Sequence, residues 1–182
     1  IKAQSPDLII NDTFSTSFSE VQMLKKSGAH VVTLEDKGAG LDDADLVINE
    51  IFSEPSSTGD HVYSGHQYVI LRDEFLLQDH TYEKDNRCQH CLISFGGSDP
   101  SNYTQLVLSL FDEIFHELKI KVTIILGQGY THKDSFYAML DAAKSHQLIT
   151  VIEGTDQMAK LMANADFAFS GNGRMVFELA QM

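Results

Sequence analysis

Two glycine-rich loops are the segments of this sequence best suited to chemistry. The first, at 96–100 (GGSDP), directly follows an apolar run at 91–95. Glycine lets the backbone turn sharply and lets a ligand approach without a Cβ in the way. If a helix follows, Asp99 or Ser98 can cap it, Pro100 suits its first position, and its free N–H groups can bind an anion. An ordinary strand-to-helix turn has the same composition, so phosphate binding and a structural turn both remain open.

The second loop, at 170–173 (SGNG), follows another apolar run at 166–169. It precedes a helical pattern that contains Glu178. Helical side chains lean toward the N-terminus of their helix, so the Glu178 carboxylate can accept hydrogen bonds from a ribose diol over the helix start. The alternative is a glycine-rich turn followed by a solvated glutamate. The two loops together favour a phosphate-containing ligand, since open α/β sheets bind ligands at the carboxyl ends of their strands.

A third turn, at 127–129 (GQG), follows a further apolar run at 121–126. If the runs belong to one sheet, this turn lies at the same edge as the two glycine-rich loops. It can line the same crevice, or it can serve only as a permissive connection between a strand and a helix. The sequence does not separate these two interpretations.

Acidic residues follow apolar runs in the first half of the chain, as Asn11-Asp12 and as Glu35-Asp36. Carboxylates at strand ends can bind sugar hydroxyls or act as a general base. They are also common in solvated turns. Asp36 is therefore a weak candidate for a catalytic residue, and the sequence names no stronger one.

The run Cys88-Gln89-His90-Cys91 resembles a metal or redox motif, but its surroundings argue against both. A structural zinc site needs four ligands, and no second Cys or His pair lies at a suitable spacing. A thioredoxin-like pair opens a helix, whereas Cys91 opens a predicted strand. We expect no metal site and no cofactor, with Cys91 buried and Cys88 exposed.

The elements that must position these loops alternate between strand and helix. Short, continuously apolar runs between amphipathic stretches are typical of a parallel sheet covered on both faces. The predicted helix at 102–118 has a two-wide apolar stripe at the 3.6-residue period, made of Leu106, Val107, Leu110, Phe111, Ile114, Phe115 and Leu118. The other predicted helices lie at 19–27, 133–145 and 156–165, the last capped by Thr155, and from Arg174 onward. The predicted strands lie at 7–11, 30–34, 46–51, 91–95, 121–126, 148–152 and 166–169.

This alternation predicts an α/β protein with two Rossmann-like domains and parallel sheets. The polar, aperiodic stretch 77–90 predicts a linker between a domain at 1–76 and a domain at 91–182. The segment 61–76 is left open between helix and strand. The chain opens on Ile1 close to a strand and stops at Met182 inside a helical pattern. We therefore expect both domains to be truncated and the chain to be a piece of a longer enzyme.

Composition limits the partners. The 182 residues are 43% hydrophobic, enough for a buried core, and 13 basic against 26 acidic residues give a formal net charge of −13. That balance argues against a protein that binds nucleic acid or an anionic membrane. No apolar run is long enough to span a bilayer. With two cysteines and no signal peptide at the present start, we expect a cytoplasmic location. The oligomeric state cannot be predicted.

Several longer segments resemble one known family. They are DLIIND, VVTLEDKGAGLDDADLVINEIF, HVYSGHQYVILRDEF, LISFGGSDPSNYT and VIEGTDQMAKLMANADFAFSGNGRMVFELA. Together they are similar to the UDP-sugar hydrolases of pseudaminic-acid biosynthesis and the related spore-coat polysaccharide proteins. Those proteins are relatives of the peptidoglycan GlcNAc transferase and have the GT-B fold. The resemblance runs through nearly the whole chain.

The resemblance implies a UDP-sugar as substrate and assigns roles to residues of the second domain. Gly96, Gly97 and Ser98 would face the sugar diphosphate, and Gly171, Asn172 and Gly173 the UDP phosphates. Met175 and Val176 would lie near the uracil, and Glu178 on the ribose. Asn172 and Arg174 depart from the family pattern, since both stand where small residues are more usual.

The implied reaction is a metal-independent hydrolysis. A histidine, which by the family pattern would precede Ile1, would activate the water that displaces UDP from an amino-deoxy sugar. Glycosyl transfer from a UDP-sugar is the first alternative, because both reactions use one binding site and differ in the acceptor. A non-catalytic module that binds nucleotide-sugars is the second. A dinucleotide-dependent dehydrogenase is disfavoured, because the full G-x-G-x-x-G after a first strand is missing from both halves.

Overall fold

The computed structural model describes residues 5–51, 59–78 and 88–182. Its contacts divide the chain into two units, Ile1–Ile70 and Leu71–Met182. Each unit is an α/β unit built on a parallel sheet of four strands. The predicted class of two Rossmann-like domains with parallel sheets is confirmed. No helix in these described ranges is long and apolar enough to cross a membrane.

In the first unit, the strands follow one another across the sheet in chain order. Its helix begins after a capping box, in which Ser17 Oγ accepts from the Glu20 N–H at 3.4 Å and Glu20 Oε2 accepts from the Ser17 N–H at 2.7 Å. The elements are β1 (Leu8–Asp12), α1 (Phe18–Lys25), β2 (His30–Leu34), β3 (Leu46–Asn49) and β4 (Val62–Ser64).

In the second unit, the strand order is β7-β6-β5-β8, and neighbouring strands are parallel. Helices connect the strands, as the sequence predicts. The elements are α2 (Asp73–Leu77), β5 (His90–Ser94), α3 (Tyr103–Leu118), β6 (Lys121–Leu126), α4 (Lys133–Ala142), β7 (Ile149–Glu153), α5 (Met158–Ala163), β8 (Phe167–Ser170) and α6 (Met175–Gln181).

The second sheet is covered on both faces because its strands are apolar at successive positions. Cys91 and Ile93 of β5 pack into one core with residues of α3 and α4. Leu92, between them, packs into a second core with Phe75 of α2 and with residues of α5. Successive side chains of a strand point to opposite faces, so these two cores must lie on opposite sides of the sheet. The unit is therefore a three-layer α/β/α sandwich.

The predicted apolar stripe of α3 is only partly buried. Val107 and Phe115 lie in the core, together with Leu108, which the stripe did not include. The remaining exposed members of the stripe have 43% to 66% of their surface in solvent, and they are Leu106, Leu110, Ile114 and Leu118. The helix therefore buries a narrower face than its periodicity predicts.

The segment 61–76, left open by the sequence, contains β4, a 3-10 turn at His66–Tyr68 and most of α2. The contacts place residues 71–78 with the second unit, where the sequence placed a domain boundary after residue 76. Residues 79–87 of the predicted linker 77–90 lie outside the described residues. The domain limits 1–76 and 91–182, with the linker between them, stay a prediction.

Candidate functional site

The two glycine-rich loops lie at the point where the strand order of the second sheet reverses. From β5 the chain moves to β6 and then to β7 on one side, whereas β8 pairs with the other side of β5. The loop at 96–100 follows β5, and the loop at 170–173 begins at the last residue of β8. Ligands of open α/β sheets bind in the crevice outside the carboxyl ends of the strands at such a reversal. Sheet topology therefore brings the two loops together where a ligand is expected.

The loop after β5 leaves backbone N–H groups open to solvent. Gly96 has φ +82°, a left-handed conformation that favours glycine. Gly96, Gly97 and Ser98 are exposed, and their N–H groups donate to no acceptor within the described part of the chain. Three consecutive open N–H groups on a glycine-rich turn are donors suited to an anion.

The start of α3 is not available to an anion, a question that the sequence left open. Asp99 is 4% exposed, and its Oδ1 and Oδ2 accept the N–H groups of Tyr103 and Thr104 at 2.9 and 2.8 Å. Asp99 therefore caps the helix, as predicted, and its charge occupies the helix N-terminus. The helix begins at Tyr103, so the placement of Pro100 at its first position is wrong. An anion at this loop must use the N–H groups that precede Asp99.

The third turn, at 127–129, is packed against the loop after β5. A Cβ on Gly127 would lie 2.2 Å from the backbone oxygen of Gly97, so only glycine fits this approach. The Gly129 N–H donates to the same Gly97 oxygen at 2.8 Å. Gly127 and Gln128 also line the cleft beside the loop. This turn thus both lines the crevice and supports the first loop from behind.

Two adjoining clefts, each of about 300 Å³, lie at this edge of the sheet. They share Gly96, Met175 and Glu178. The first cleft is completed by the loop after β8 and by Phe95, and its further lining residues are Gly171, Asn172, Gly173 and Arg174. The second is lined by Arg72 just before α2, by loop residues after β5, β6 and β7, and by three residues within β5, β6 and α5. The loop residues are Gly97, Gly127, Gln128, Gly154 and Thr155, and the other three are Ser94, Ile125 and Met158.

Most of the residues to which the family resemblance assigns a role lie on these walls. Seven of the nine do so, namely Gly96, Gly97, Gly171, Asn172, Gly173, Met175 and Glu178. Ser98 and Val176 are not among the lining residues, and Val176 is 40% exposed. The structure thus brings the two loops and the start of α6 to one place.

Glu178 is 7% exposed and lies between the two clefts. Its Oε1 is 3.4 Å from Nη2 of Arg72, at the N-terminal end of α2. The Arg72 side chain keeps 54% of its surface in solvent. The predicted ribose-binding carboxylate is therefore paired with a cation that the sequence analysis did not single out.

Sequence reasoning missed Arg72, Gly154 and Thr155 among the lining residues. Arg72 precedes the acidic start of a short helix, and its place in the cleft depends on how α2 packs against α5 and α6. Gly154 gives a local signal, because it ends a strand and has φ +69°. Thr155 is also the predicted cap of the helix at 156–165, and its Oγ1 accepts the Gln157 N–H at 3.0 Å, one residue before α5 begins at Met158.

The loop after β7 is fastened from outside the cleft by Glu153. This carboxylate accepts hydrogen bonds from Lys133 and from Tyr137 Oη, the latter at 2.7 Å, and both lower its pKa. The same bond raises the pKa of Tyr137 to about 12. Gly154 and Thr155, the next two residues, line the second cleft.

The acidic candidates of the first unit fasten its own loops. Asp36 is fully buried, and its Oδ1 accepts the N–H groups of Thr16 and Gly38 at 2.9 and 2.7 Å. Glu35 is 8% exposed, and its Oε1 accepts the Glu50 N–H at 2.6 Å. A general base needs an oxygen that water can reach, so this geometry favours a structural role for Asp36.

Asn11 and Asp12 end β1 at the surface. Asn11 Nδ2 donates to the hydroxyls of Thr13 and Thr16 at 2.6 and 2.7 Å, and Asp12 is exposed. Asn11 thus supports the turn after β1 through these two hydrogen bonds.

The two cysteines have the predicted burial, with Cys91 buried and Cys88 exposed. Burial raises the pKa of the Cys91 thiol to about 12, which keeps it protonated. His90, between them, has both ring nitrogens in hydrogen bonds, to Asn164 O at 2.7 Å and to Thr123 Oγ1 at 2.8 Å. In the ranges described, no group of three or more potential ligands stands ready for a metal ion.

Comparison with known proteins gives two distant relatives. The chain is 27% identical over 187 residues to the spore coat polysaccharide biosynthesis protein SpsG of Bacillus subtilis (strain 168). It is 26% identical over 192 residues to the uncharacterized protein MJ1062 of Methanocaldococcus jannaschii. Both alignments cover 98% of this chain but only 54% and 39% of the relatives, so the chain spans about half of their length or less. No protein-family model matches the chain.

Proposed function

We propose that this chain carries the nucleotide-binding part of a UDP-sugar hydrolase, which releases UDP from an amino-deoxy sugar in cell-surface glycan biosynthesis. One observation carries the proposal. Seven of the nine residues that the family resemblance places at a UDP-sugar line two adjoining clefts at the reversal of strand order in one sheet. The name of the Bacillus subtilis relative, a polysaccharide biosynthesis protein, supports the glycan context.

In this proposal, each wall of the clefts binds one part of the nucleotide. The open N–H groups of Gly96 and Gly97 donate to the diphosphate, with the loop at 171–173 on its other side. Glu178 accepts hydrogen bonds from the ribose hydroxyls, and the apolar Met175 contacts the uracil. An acidic protein can bind an anion in this way, because the donors are local backbone dipoles and do not depend on net charge.

Water replaces UDP at the anomeric carbon of the sugar. The bond from that carbon to the diphosphate oxygen breaks, and UDP leaves with the electron pair while the new carbon–oxygen bond to water forms. The water proton passes to a general base, for which the family resemblance implies a histidine. Backbone N–H groups that face the leaving diphosphate stabilise its developing charge, a form of catalysis that requires no metal.

The test is the full-length gene product incubated with a panel of UDP-sugars and assayed for UDP release, with and without hydroxyl acceptors. We expect release of UDP from a UDP-amino-deoxy-sugar in the absence of any acceptor. Release only with an acceptor would show a glycosyltransferase. Binding without release under any condition would show a non-catalytic module. A Glu178→Ala variant should lose the activity, and a Lys144→Gln variant, altered at an exposed ion pair after the end of α4, should keep it.

A further inference from the structure

A buried tyrosine joins the two loops that follow β5 and β6. Tyr130 is 4% exposed, and its Oη donates to Asn102 Oδ1 at 2.6 Å. We propose that Tyr130 is a positioning residue of the candidate site. Through this bond it holds the loop at 96–102 in the conformation that leaves the N–H groups of Gly97 and Ser98 open to an anion. The inference rests on the proposed function, since it takes a diphosphate as the ligand of those N–H groups.

The loop after β5 needs such support because two of its residues have a left-handed backbone. Asp99 has φ +40° and Asn102 has φ +55°. Residues other than glycine adopt this conformation at a cost, and they keep it where the surrounding structure holds it. Asp99 is held by its own carboxylate, which accepts two N–H groups at the start of α3. Asn102 makes no such side-chain bond to the helix, and its side chain is held instead by Tyr130.

A second contact between the two loops sets the direction of an open donor. The Gly129 N–H donates to Gly97 O at 2.8 Å, so the Gly97 carbonyl points at the turn 127–129. Gly97 O and the Ser98 N–H belong to one planar trans peptide unit and lie on opposite sides of it. The Ser98 N–H is therefore directed away from the turn. The turn fixes the orientation of this donor as long as it stays against Gly97.

Tyr130 directly follows that turn and is itself held from several sides. Its N–H donates to Gly127 O at 3.0 Å, and its ring packs edge-on against Phe136 of α4. Gln105 of α3 is 9% exposed and places its Nε2 3.5 Å from Tyr130 Oη. Burial and, to a smaller extent, the Asp99 charge raise the pKa of Tyr130, so its hydroxyl stays protonated. The tyrosine is therefore a fixed donor between the two loops.

The experiment is calorimetric titration of the full-length protein with pyrophosphate, UDP and uridine. A Tyr130→Phe variant keeps the ring and loses the hydroxyl. It should bind pyrophosphate and UDP about 3- to 10-fold more weakly, because a hydrogen bond that holds the loop is lost. Uridine, which has no phosphate, should bind within about twofold of wild type. Ser109→Ala is the matched control, since it removes an exposed hydroxyl of α3 that donates to Leu106 O, and it should change none of these affinities.

A second variant shows whether Tyr130 acts through Asn102. Asn102→Gly removes the acceptor and still adopts a left-handed backbone. In that background Tyr130→Phe should weaken pyrophosphate by no more than about twofold further, because the bond is already absent. A tyrosine that only stabilised the fold would have the same effect in both backgrounds. Thermal unfolding of each variant shows whether the fold is retained.

Nitrogen-15 relaxation of protein labelled at glycine measures the loop itself. In ligand-free wild type, the Gly97 amide should have the order parameter of rigid backbone, about 0.85, and in Tyr130→Phe it should fall toward about 0.6. Gly28, which follows α1 in the first unit, is the internal control and should be unchanged.

The proposal is overturned if Tyr130→Phe binds pyrophosphate as wild type does, if it weakens uridine as much as UDP, or if its effect is undiminished beside Asn102→Gly. An unchanged Gly97 order parameter would overturn it as well. The proposed function fails in a different way, since wild type would then bind pyrophosphate but not UDP, while Tyr130→Phe still weakened pyrophosphate. Wild-type protein that bound neither ligand would overturn both.

Discussion

The carboxyl edges of the two sheets differ in what satisfies their polar groups. In the first unit, Asp36 and Glu35 accept hydrogen bonds from the unit's own backbone, at Thr16, Gly38 and Glu50. In the second unit, the N–H groups of Gly96 and Gly97 have no acceptor in the described residues. Carboxylates therefore accept backbone N–H groups at the carboxyl edge of the first sheet, which we call the closed edge. At the carboxyl edge of the second sheet, the open edge, glycine N–H groups remain able to donate to a ligand.

This difference shows what distinguishes a binding edge from a structural one. Polar residues follow strands in both units, and by sequence alone both sets are candidate functional residues. In the first unit each buried carboxylate has backbone donors within reach, so it stabilises the turn that holds it. In the second unit the N–H groups of Gly96 and Gly97 have no acceptor in the described residues, so they can donate to a ligand. At the first edge backbone N–H groups donate to carboxylates of the same unit, and at the second edge backbone N–H groups have no acceptor in the described residues.

The largest expected effect is at Gly127, which supports the open edge from behind. In Gly127→Ala the new Cβ would lie 2.2 Å from Gly97 O, so the two loops must move apart, at a cost of about 3 kcal/mol or more in the free energy of unfolding. Gly97→Ala is the matched control, because its Cβ meets no protein atom within 4 Å. It should change stability by less than about 1 kcal/mol and still weaken UDP, since its methyl group occupies the ligand side. Urea denaturation measures the first quantity, and equal stability of the two variants would contradict the packing described.

The next effect tests the closed edge. Asp36→Ala removes the acceptor of two backbone N–H groups in a fully buried place, and should destabilise the protein by about 2–4 kcal/mol. Asp12→Ala, at an exposed strand end, should stay within about 0.5 kcal/mol of wild type. If Asp36→Ala instead kept full stability and lost only UDP-sugar hydrolysis, Asp36 would be a catalytic base and the contrast between the two edges would fail.

The smallest effect concerns two carboxylates that behave alike in the two units, Asp112 of α3 and Asp45 before β3. Burial raises the pKa of Asp112, but hydrogen bonds from Ser145 and Lys144 lower it by more, so the net pKa is below its ordinary value. In the first unit, a hydrogen bond from the Val31 N–H lowers the pKa of Asp45.

Both carboxylates are therefore stabilising when ionised. Their contribution is complete above the unfolded pKa of about 4 and is lost as the pH falls through the folded pKa. Asp112→Asn should cost about 1 kcal/mol at pH 7, and the difference from wild type should shrink below about pH 4. Urea unfolding from pH 7 to pH 3 measures it. A difference that grows on acidification would show that the carboxylate is not stabilised in the folded state.

Much of the fold follows from local pattern. The strands His30–Leu34 and Lys121–Leu126 are predicted to the residue, since each is a short apolar run between clear turn residues. Helix starts are less accurate, because caps depend on side-chain geometry. The helix predicted from Ser19 begins at Phe18, because Ser17 and Glu20 form a capping box whose residue types are visible in the sequence. The helix predicted from residue 102 begins at Tyr103, because the Asp99 carboxylate accepts the N–H groups four and five residues ahead of it.

The candidate site likewise has features that local sequence pattern predicts and features that depend on contacts between distant segments. The loops after β5 and β8 could be predicted, since glycines after apolar strands mark turns locally. Arg72 could not, because it comes from a segment whose helix α2 packs against α5 and α6, about 85 residues or more away in sequence. Which carboxylates are satisfied internally, as with Asp36, likewise depends on contacts that no local pattern contains.

The most direct test of the open edge is calorimetric titration of UDP and of 2′-deoxy-UDP into full-length protein, wild type against Glu178→Ala. We predict that wild type binds UDP and discriminates against the deoxy ligand. The variant should bind UDP about 10- to 100-fold more weakly, because two hydrogen bonds to a carboxylate are lost, and should no longer discriminate. Equal UDP affinity in both proteins, or undiminished discrimination in the variant, would contradict the assignment of this edge to a nucleotide.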